Sequence, residues 1–221
     1  MGVRIPIDET AFDVLDDKKA WILGLLWSDG SLMPLGRDRY MLKLSSIDRI
    51  VPETLASILN SSHKIGTINC PPWSTCYRIQ IGIVFNPLAK HLIDLGYARY
   101  KDDRTPPKIP SDLLPAFIRG YFDGDGCVSI VHIKPRKKDY HYLRCYLAGP
   151  LAVSWVEPIL RDQSIKGSIS EHDGRKRLCL SHESSLRLYD YMYRPGCICL
   201  ARKRKIFERF LKCDYEEKVN A

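Results

Sequence analysis

Two aspartates, Asp29 and Asp125, hold matching places in two apolar runs set 96 residues apart. The first run reads Ala20-Trp21-Ile22-Leu23-Gly24-Leu25-Leu26-Trp27-Ser28-Asp29-Gly30-Ser31. The second reads Ala116-Phe117-Ile118-Arg119-Gly120-Tyr121-Phe122-Asp123-Gly124-Asp125-Gly126-Cys127. If each run is a helix, each carboxylate sits at a C-terminal end, where the backbone already carries partial negative charge. Two such ends brought together need a cation. A hard divalent ion held by oxygen, Mg²⁺ above all, meets that need and prefers carboxylates shared with phosphate. The glycine after each aspartate suits a helix C-cap. Asp123-Gly124-Asp125-Gly126 is not a calcium loop, because Cys127 and Ser129 follow where oxygen ligands should continue and no glutamate closes it. The eight cysteines and six histidines lack zinc spacing, and the cysteines read as reduced core thiols.

What must position these carboxylates is written in the same runs. Gly24 and Ser28, and again Gly120 and Gly124, lie four residues apart on one helical face. Glycine inside a helix costs up to about 1 kcal/mol, so its repeated use asks for a packing reason. The simplest is that the two motif helices pack against each other, with these four residues as the interface. The alternative is that each helix packs on its own sheet.

Matching elements follow each run. A hairpin is expected over 31–37 and 39–45, with Tyr40, Leu42 and Leu44 alternating against Arg39, Met41 and Lys43. In the second half Val128, Ile130, Leu143, Cys145 and Leu147 point inward, against Tyr142, Arg144 and Tyr146. Helices are expected near 48–60 and 151–162, second hairpins ending at 77–81 and 177–180, and closing helices over 86–95 and 183–193. This is an α+β chain with the order α-β-β-α-β-β-α twice: a first repeat over 1–96, a join over 97–110, and a second repeat over 111–221 with a basic C-terminal helix near 200–212. The outward sheet faces present Arg37, Arg39, Lys43, Arg78 and Gln80 in one half, and Ser129, Tyr142, Arg144, Arg175 and Arg177 in the other. Such side chains hold phosphates and read base edges.

Composition agrees. Lys and Arg total 34 against 26 Asp and Glu, a formal net charge of +8. Residues 1–110 carry 14 basic and 12 acidic side chains and residues 111–221 carry 20 and 14, so most of the excess lies in the second half. That balance draws polyanions, nucleic acid before anionic lipid. The longest strongly apolar stretch, 20–27, is far short of the roughly 20 residues that cross a bilayer. The N-terminal residues resemble neither a secretory nor a myristoylation signal. The expectation is a soluble intracellular protein, in the cytoplasm or nucleoid of a microbe or in an organelle.

The segments Leu23-Gly24-Leu25-Leu26-Trp27-Ser28-Asp29-Gly30 and Ile118-Arg119-Gly120-Tyr121-Phe122-Asp123-Gly124-Asp125-Gly126 resemble the LAGLIDADG signature of homing endonucleases. The resemblance runs through essentially the whole chain, by motif spacing and repeat order. It implies two pseudo-symmetric domains packed through the motif helices, with saddle-shaped sheets in the major groove of double-stranded DNA. It implies that Asp29 and Asp125 bind the catalytic metals, commonly helped by the backbone carbonyls of Ser28 and Gly124. A basic residue after the last helix of each repeat supports the active site in this family. Lys101 and Lys203 are the candidates by position, with Arg99 and Arg202 close by. The first motif departs from the pattern at Trp27, where the second has Asp123, a place that touches packing more than chemistry. The implied reaction is Mg²⁺-dependent hydrolysis of both strands, leaving 3′ overhangs. Mn²⁺ should substitute for Mg²⁺, and Ca²⁺ should support binding only. Strands of about seven residues reach roughly 23 Å, or about seven base pairs per half, which implies a site of about fourteen or more. The rival reading within the same fold is an intron RNA-splicing maturase or a catalytically silent DNA-binding regulator.

Two fused repeats supply both halves of such a site, so the protein is expected to be a monomer. Because Lys43 and Gln80 correspond to Arg144 and Cys179, the target should be asymmetric. Sedimentation at working concentration should give one chain per particle, and a selected target should not be a palindrome. A stable dimer on a perfect palindrome would refute this.

Overall fold

A computed structural model describes residues 5–37, 39–70, 73–84, 87–133 and 140–219. The chain divides into two compact units, Met1–Tyr121 and Phe122–Ala221. The divide falls inside a helix.

In the first unit, α1 (Asp17–Asp29) starts where the Asp16 carboxylate accepts from the Lys19 amide at 2.7 Å. This N-cap satisfies one of the helix's orphan donors, and Asp17 adds negative charge in the first turn. Every residue from Ala20 to Ser28 is buried, so α1 is a core helix on all sides rather than an amphipathic one. After it come β1 (Ser31–Gly36), β2 (Arg39–Ser46), α2 (Ile50–Ile58), β3 (Gly66–Cys70), β4 (Trp73–Val84) and α3 (Pro87–Asp94). The strands form an antiparallel sheet in the order β1-β2-β4-β3. Alternation puts Leu42, Leu44, Ile79, Ile81 and Ile83 in the core.

The stretch after α3 folds back instead of leading away. Gly96 takes φ +101° at the end of α3, the Tyr97 amide reaches back to the Leu92 carbonyl, and the Thr105 amide donates to the Gly96 carbonyl at 3.0 Å. Tyr97 and Arg104 are buried. The prolines and charges there are loop chemistry, but the loop is part of the first unit's core.

α4 (Leu114–Asp125) begins in the first unit and ends in the second. Its early turns meet α1 backbone to backbone. A Cβ on Gly24 would stand 2.1 Å from the Phe117 carbonyl oxygen, and one on Gly120 would stand 1.9 Å from that of Trp21. Trp27 meets Phe117 edge-on at 6.1 Å, and the fully buried Arg119 donates to the Asp17 carboxylate at 2.5 Å. The small residues at these two positions are therefore a condition of the contact.

The second unit repeats the order. β5 (Gly126–Ile133), β6 (Tyr140–Ala148), β7 (Gly167–His172) and β8 (Arg175–Leu180) form an antiparallel sheet ordered β5-β6-β8-β7. The helix expected near 151–162 opens with a π-helical turn, Ala152–Val156, and continues as α5 (Glu157–Asp162). α6 (His182–Met192) is capped by Ser181, whose hydroxyl accepts from the Ser184 amide. α7 (Ala201–Val219) buries Phe207 and Phe210, and Phe207 packs among Phe122, Tyr189 and Tyr193. The basic tail is thus a core element on one side. No helix among the described residues is long and apolar enough to cross a membrane.

Replacing Gly24 or Gly120 with alanine or leucine should destabilise the chain by roughly 1–3 kcal/mol, since the obstacle is backbone and cannot turn aside. Gly66 has open space around its Cβ position, so Gly66→Ala should leave the melt unchanged. Urea titrations compare the three. A wild-type midpoint for Gly120→Ala would place the close contact elsewhere.

Candidate active site and nucleic-acid interface

Each motif helix ends at its aspartate. Asp29 is exposed and Asp125 half-buried. Ser28 is fully buried and its hydroxyl donates to the Leu25 carbonyl, while Gly124 is half-buried in the last turn of α4. Gly30 is the C-cap of α1, as the Asp-Gly pair suggests, and its amide donates to the Leu26 carbonyl. Its φ of −77° and ψ of 160° are ordinary extended backbone. The reason for glycine is space, because a Cβ would meet the Leu26 carbonyl at 2.7 Å. Gly126 is crowded in the same way by Phe122, at 2.3 Å.

The last carbonyls of an α-helix have no partner within it. In both units a buried cation takes them. Lys203, in the first turn of α7, donates through Nζ to the carbonyls of Phe122 at 2.6 Å, Asp123 at 2.8 Å and Gly126 at 2.6 Å. All three of its protons are spent. In the first unit the same work is done by Arg104. Its Nη1 donates to the carbonyls of Leu26 and Trp27, its Nη2 to that of Gly30 at 2.8 Å, and its Nε to that of Ala98 at 3.1 Å. Leu26, Trp27 and Gly30 are the 96-residue counterparts of Phe122, Asp123 and Gly126. Each cation also lies over a ring, Arg104 over Tyr97 at 4.2 Å and Lys203 over Phe122 at 5.1 Å. The Tyr97 hydroxyl donates to the Leu26 carbonyl, and burial pushes its pKa well above the ordinary phenol value.

The candidate by position in the first unit, Lys101, lies elsewhere on the surface. Lys101 is exposed in a short 3₁₀ turn, Lys101–Asp103, and Arg99 and Arg202 are exposed as well. The basic group on the end of α1 is Arg104. The strict period misses it because ten residues separate Tyr193 from Lys203 and only seven separate Tyr97 from Arg104. The odd sixth place of the motif has a related use. The Trp27 indole donates to the Thr105 carbonyl at 3.1 Å, and the Asp123 carboxylate accepts from the Leu200 amide at 2.9 Å. Opposite polarities anchor the segment that carries each cation.

The carboxylates therefore stand on helix ends whose carbonyls are already neutralised, with oxygen donors at hand. Among the described residues there is no group of three or more His, Cys, Asp or Glu able to hold a metal.

The strand register gathers the sequence's polar candidates on one face of each sheet. In the first, Ser31, Lys43 and Gln80 form one row across β1, β2 and β4, and Ser45 and Arg78 form the next. The Arg78 Nε donates to the Ser45 hydroxyl at 2.9 Å. Arg39 lies toward the hairpin tip, and Arg37 occupies the turn itself with φ +51°. In the second, Ser129 pairs with Arg144 and Val131 with Tyr142, while Arg177 pairs with Ala148 and Ser170, and Arg175 with His172. These side chains are exposed or half-buried, opposite the apolar core face. Both faces can accept a polyanion.

No protein-family model matches the chain. A curated relative, reverse gyrase of Methanocaldococcus jannaschii, is 28% identical over 136 residues, which is 61% of this chain but only 7% of that protein's length. Solved structures align along nearly the whole chain. The LAGLIDADG meganuclease I-AabMI bound to uncleaved DNA superimposes with a TM-score of 0.63 at 15% identity, covering 93% of this chain and 92% of its own. I-SmaMI, a LAGLIDADG homing endonuclease bound to cleaved DNA, gives 0.60 at 11% identity over 90% and 88%. I-GzeII with its DNA target gives 0.60 at 12% identity over 94% and 92%. With two antiparallel four-stranded sheets and a motif helix leading into each, the fold of this chain is that of the LAGLIDADG homing endonucleases.

Proposed function

We propose that the protein is a site-specific endonuclease that hydrolyses both strands of an asymmetric double-stranded DNA target with Mg²⁺. The observation that carries this reading is the repeated helix end: an aspartate on a carbonyl terminus neutralised by a buried cation, leading straight into the first strand of a basic sheet. The solved structures that share the fold are DNA endonucleases held with DNA, which supports the same partner. The gyrase match spans too little of that protein for its activity to carry over.

In this reading Asp29 and Asp125, with the carbonyls of Ser28 and Gly124, hold divalent metal. A metal held there would supply an activated water and charge stabilisation for the phosphate and the leaving 3′ oxygen. The chain's own residues do the rest. Arg104 and Lys203 take up two of the last carbonyls at each helix end, which leaves the carboxylate and the Ser28 or Gly124 carbonyl to face the metal. Lys203 spends all three donors, and Arg104 four of its five, on backbone carbonyls, so in this reading they position the aspartates. The sheet faces bind the grooves and phosphates and fix the register of the cut.

Asp29→Asn and Asp125→Asn keep shape and remove the charge that holds metal. Single-turnover cleavage in Mg²⁺ should fall by at least about 10²-fold in each, comparable to removing one preorganised electrostatic group. DNA affinity at matched salt should persist or rise. Replacing Mg²⁺ with Ca²⁺ should preserve binding and suppress cutting. Near wild-type double-strand cleavage by Asp125→Asn would sink the metal reading. A chain that never cuts DNA yet promotes intron splicing would be the maturase.

Arg104→Met and Lys203→Met should each strand several buried carbonyls and lower stability by about 1–3 kcal/mol per unsatisfied group. Lys101→Met should melt as wild type and cut as wild type. If Lys101→Met lost cleavage while Arg104→Met kept it, the assignment of the first unit's cation would be reversed.

A further inference from the structure

The two sheet faces differ in the chemistry at their centres. On the first, Met33, Met41 and Gly82 are register partners across β1, β2 and β4, so an apolar row crosses the middle of the face. Gly82 leaves open space there, since a Cβ on it would touch nothing within 4 Å. The adjoining row is Ser31, Lys43 and Gln80. Arg78 and Arg39 of this face make local contacts, with Ser45 and with the Gly36 carbonyl, and Arg37 lies in the hairpin turn.

On the second face Arg144, opposite Ser129, takes the place that Met41 holds opposite Met33 on the first, while Arg177, opposite Ala148, lies in the row of Arg78 and Arg175 lies nearer the β7–β8 turn. Arg175 and Arg177 stand two apart on β8 and so share a side. They line a bay of about 420 Å³ together with Tyr146, Ala148, His172 and Asp173. The Arg177 guanidinium lies over the Tyr146 ring at 4.8 Å, which holds its planar fork in one orientation before DNA arrives. Asp173 pairs with His172 at 2.9 Å. Arg144, exposed on β6, adds a third fork on the same face.

Base edges discriminate between these surfaces. Guanine offers N7 and O6 to a guanidinium fork, adenine offers N6 and N7 to a glutamine amide, and thymine offers a methyl group to apolar side chains. We infer that the target is compositionally divided: the half-site read by the second sheet carries guanines matched to Arg144, Arg175 and Arg177, and the half-site read by the first is weighted to A·T through Met33, Met41 and Gln80. Lys43 contributes a point charge without a fork. The inference rests on the DNA-endonuclease reading and deepens it by naming the class of target.

The test is a binding selection of the full chain on a randomised duplex library, with EDTA present to block cleavage. The expected product is one long motif with guanines clustered in one half and A·T pairs in the other. Arg175→Ala and Arg177→Ala should flatten guanine preference at one or two positions by roughly tenfold each and leave the other half unchanged. Arg177→Lys keeps the charge and loses the fork, so overall affinity should hold within a few-fold while the same guanine preference flattens. Both sites lie on the sheet's outer face, and unchanged melting of these variants certifies the fold. A long motif with guanines spread evenly, or one that ignores the arginine variants, overturns the inference and leaves the endonuclease reading standing. No motif at all overturns both.

Discussion

The contact on which the architecture rests is the approach of two backbones, α1 and α4, at Gly24 and Gly120. Carbonyl oxygens of Phe117 and Trp21 occupy the places where β-carbons would be. No side chain fits, so sequence freedom at these two positions is nil, whatever else varies. The contact also explains why the compact units divide inside α4: its early turns belong to α1, while its last turn opens the second sheet. The chain repeats by sequence and packs by helix contact, and the two divisions do not coincide.

A close-packed helix that ends at a carboxylate creates an electrostatic problem, and both units meet it in the same way. Bare carbonyls and an aspartate at one terminus would compound negative charge in a partly dry setting. Arg104 and Lys203 answer with buried cations whose donors are taken up by those carbonyls. One is a planar fork and the other a three-donor ammonium, yet each covers the equivalent carbonyls. Chemistry converged where residue type and spacing did not.

The sheets show the complementary behaviour. Their core faces are alike, built mainly of leucine and isoleucine with Cys145 buried in the second, because burial accepts little else. Burial also pushes the Cys145 thiol up to about 12, which keeps it inert and neutral within the core. The outer faces share a basic character and little else. Constraint sits at the helix ends and in the core, and variation is left to the surface that meets a partner.

Much of this was legible without coordinates. Apolar runs ending in Asp-Gly, glycines four apart and alternation along each strand follow from local rules of periodicity and size, so element order, sheet faces and the α+β class could be read directly. For the 97–110 stretch, proline and charge mark a loop without saying that Tyr97 and Arg104 are buried in it. Gly30 caps α1 as its place after Asp29 suggests, but the crowding by Leu26 that excludes a side chain there shows only in the fold. Arg104 was missed because its partners, the carbonyls of Leu26, Trp27 and Gly30, lie more than seventy residues away, and loops of unequal length displace it from the repeat. Local pattern determines which residues form helices and strands, since those interactions span a few positions. Which cation reaches which helix end was decided only when the chain folded back, because that depends on where a loop closes in space.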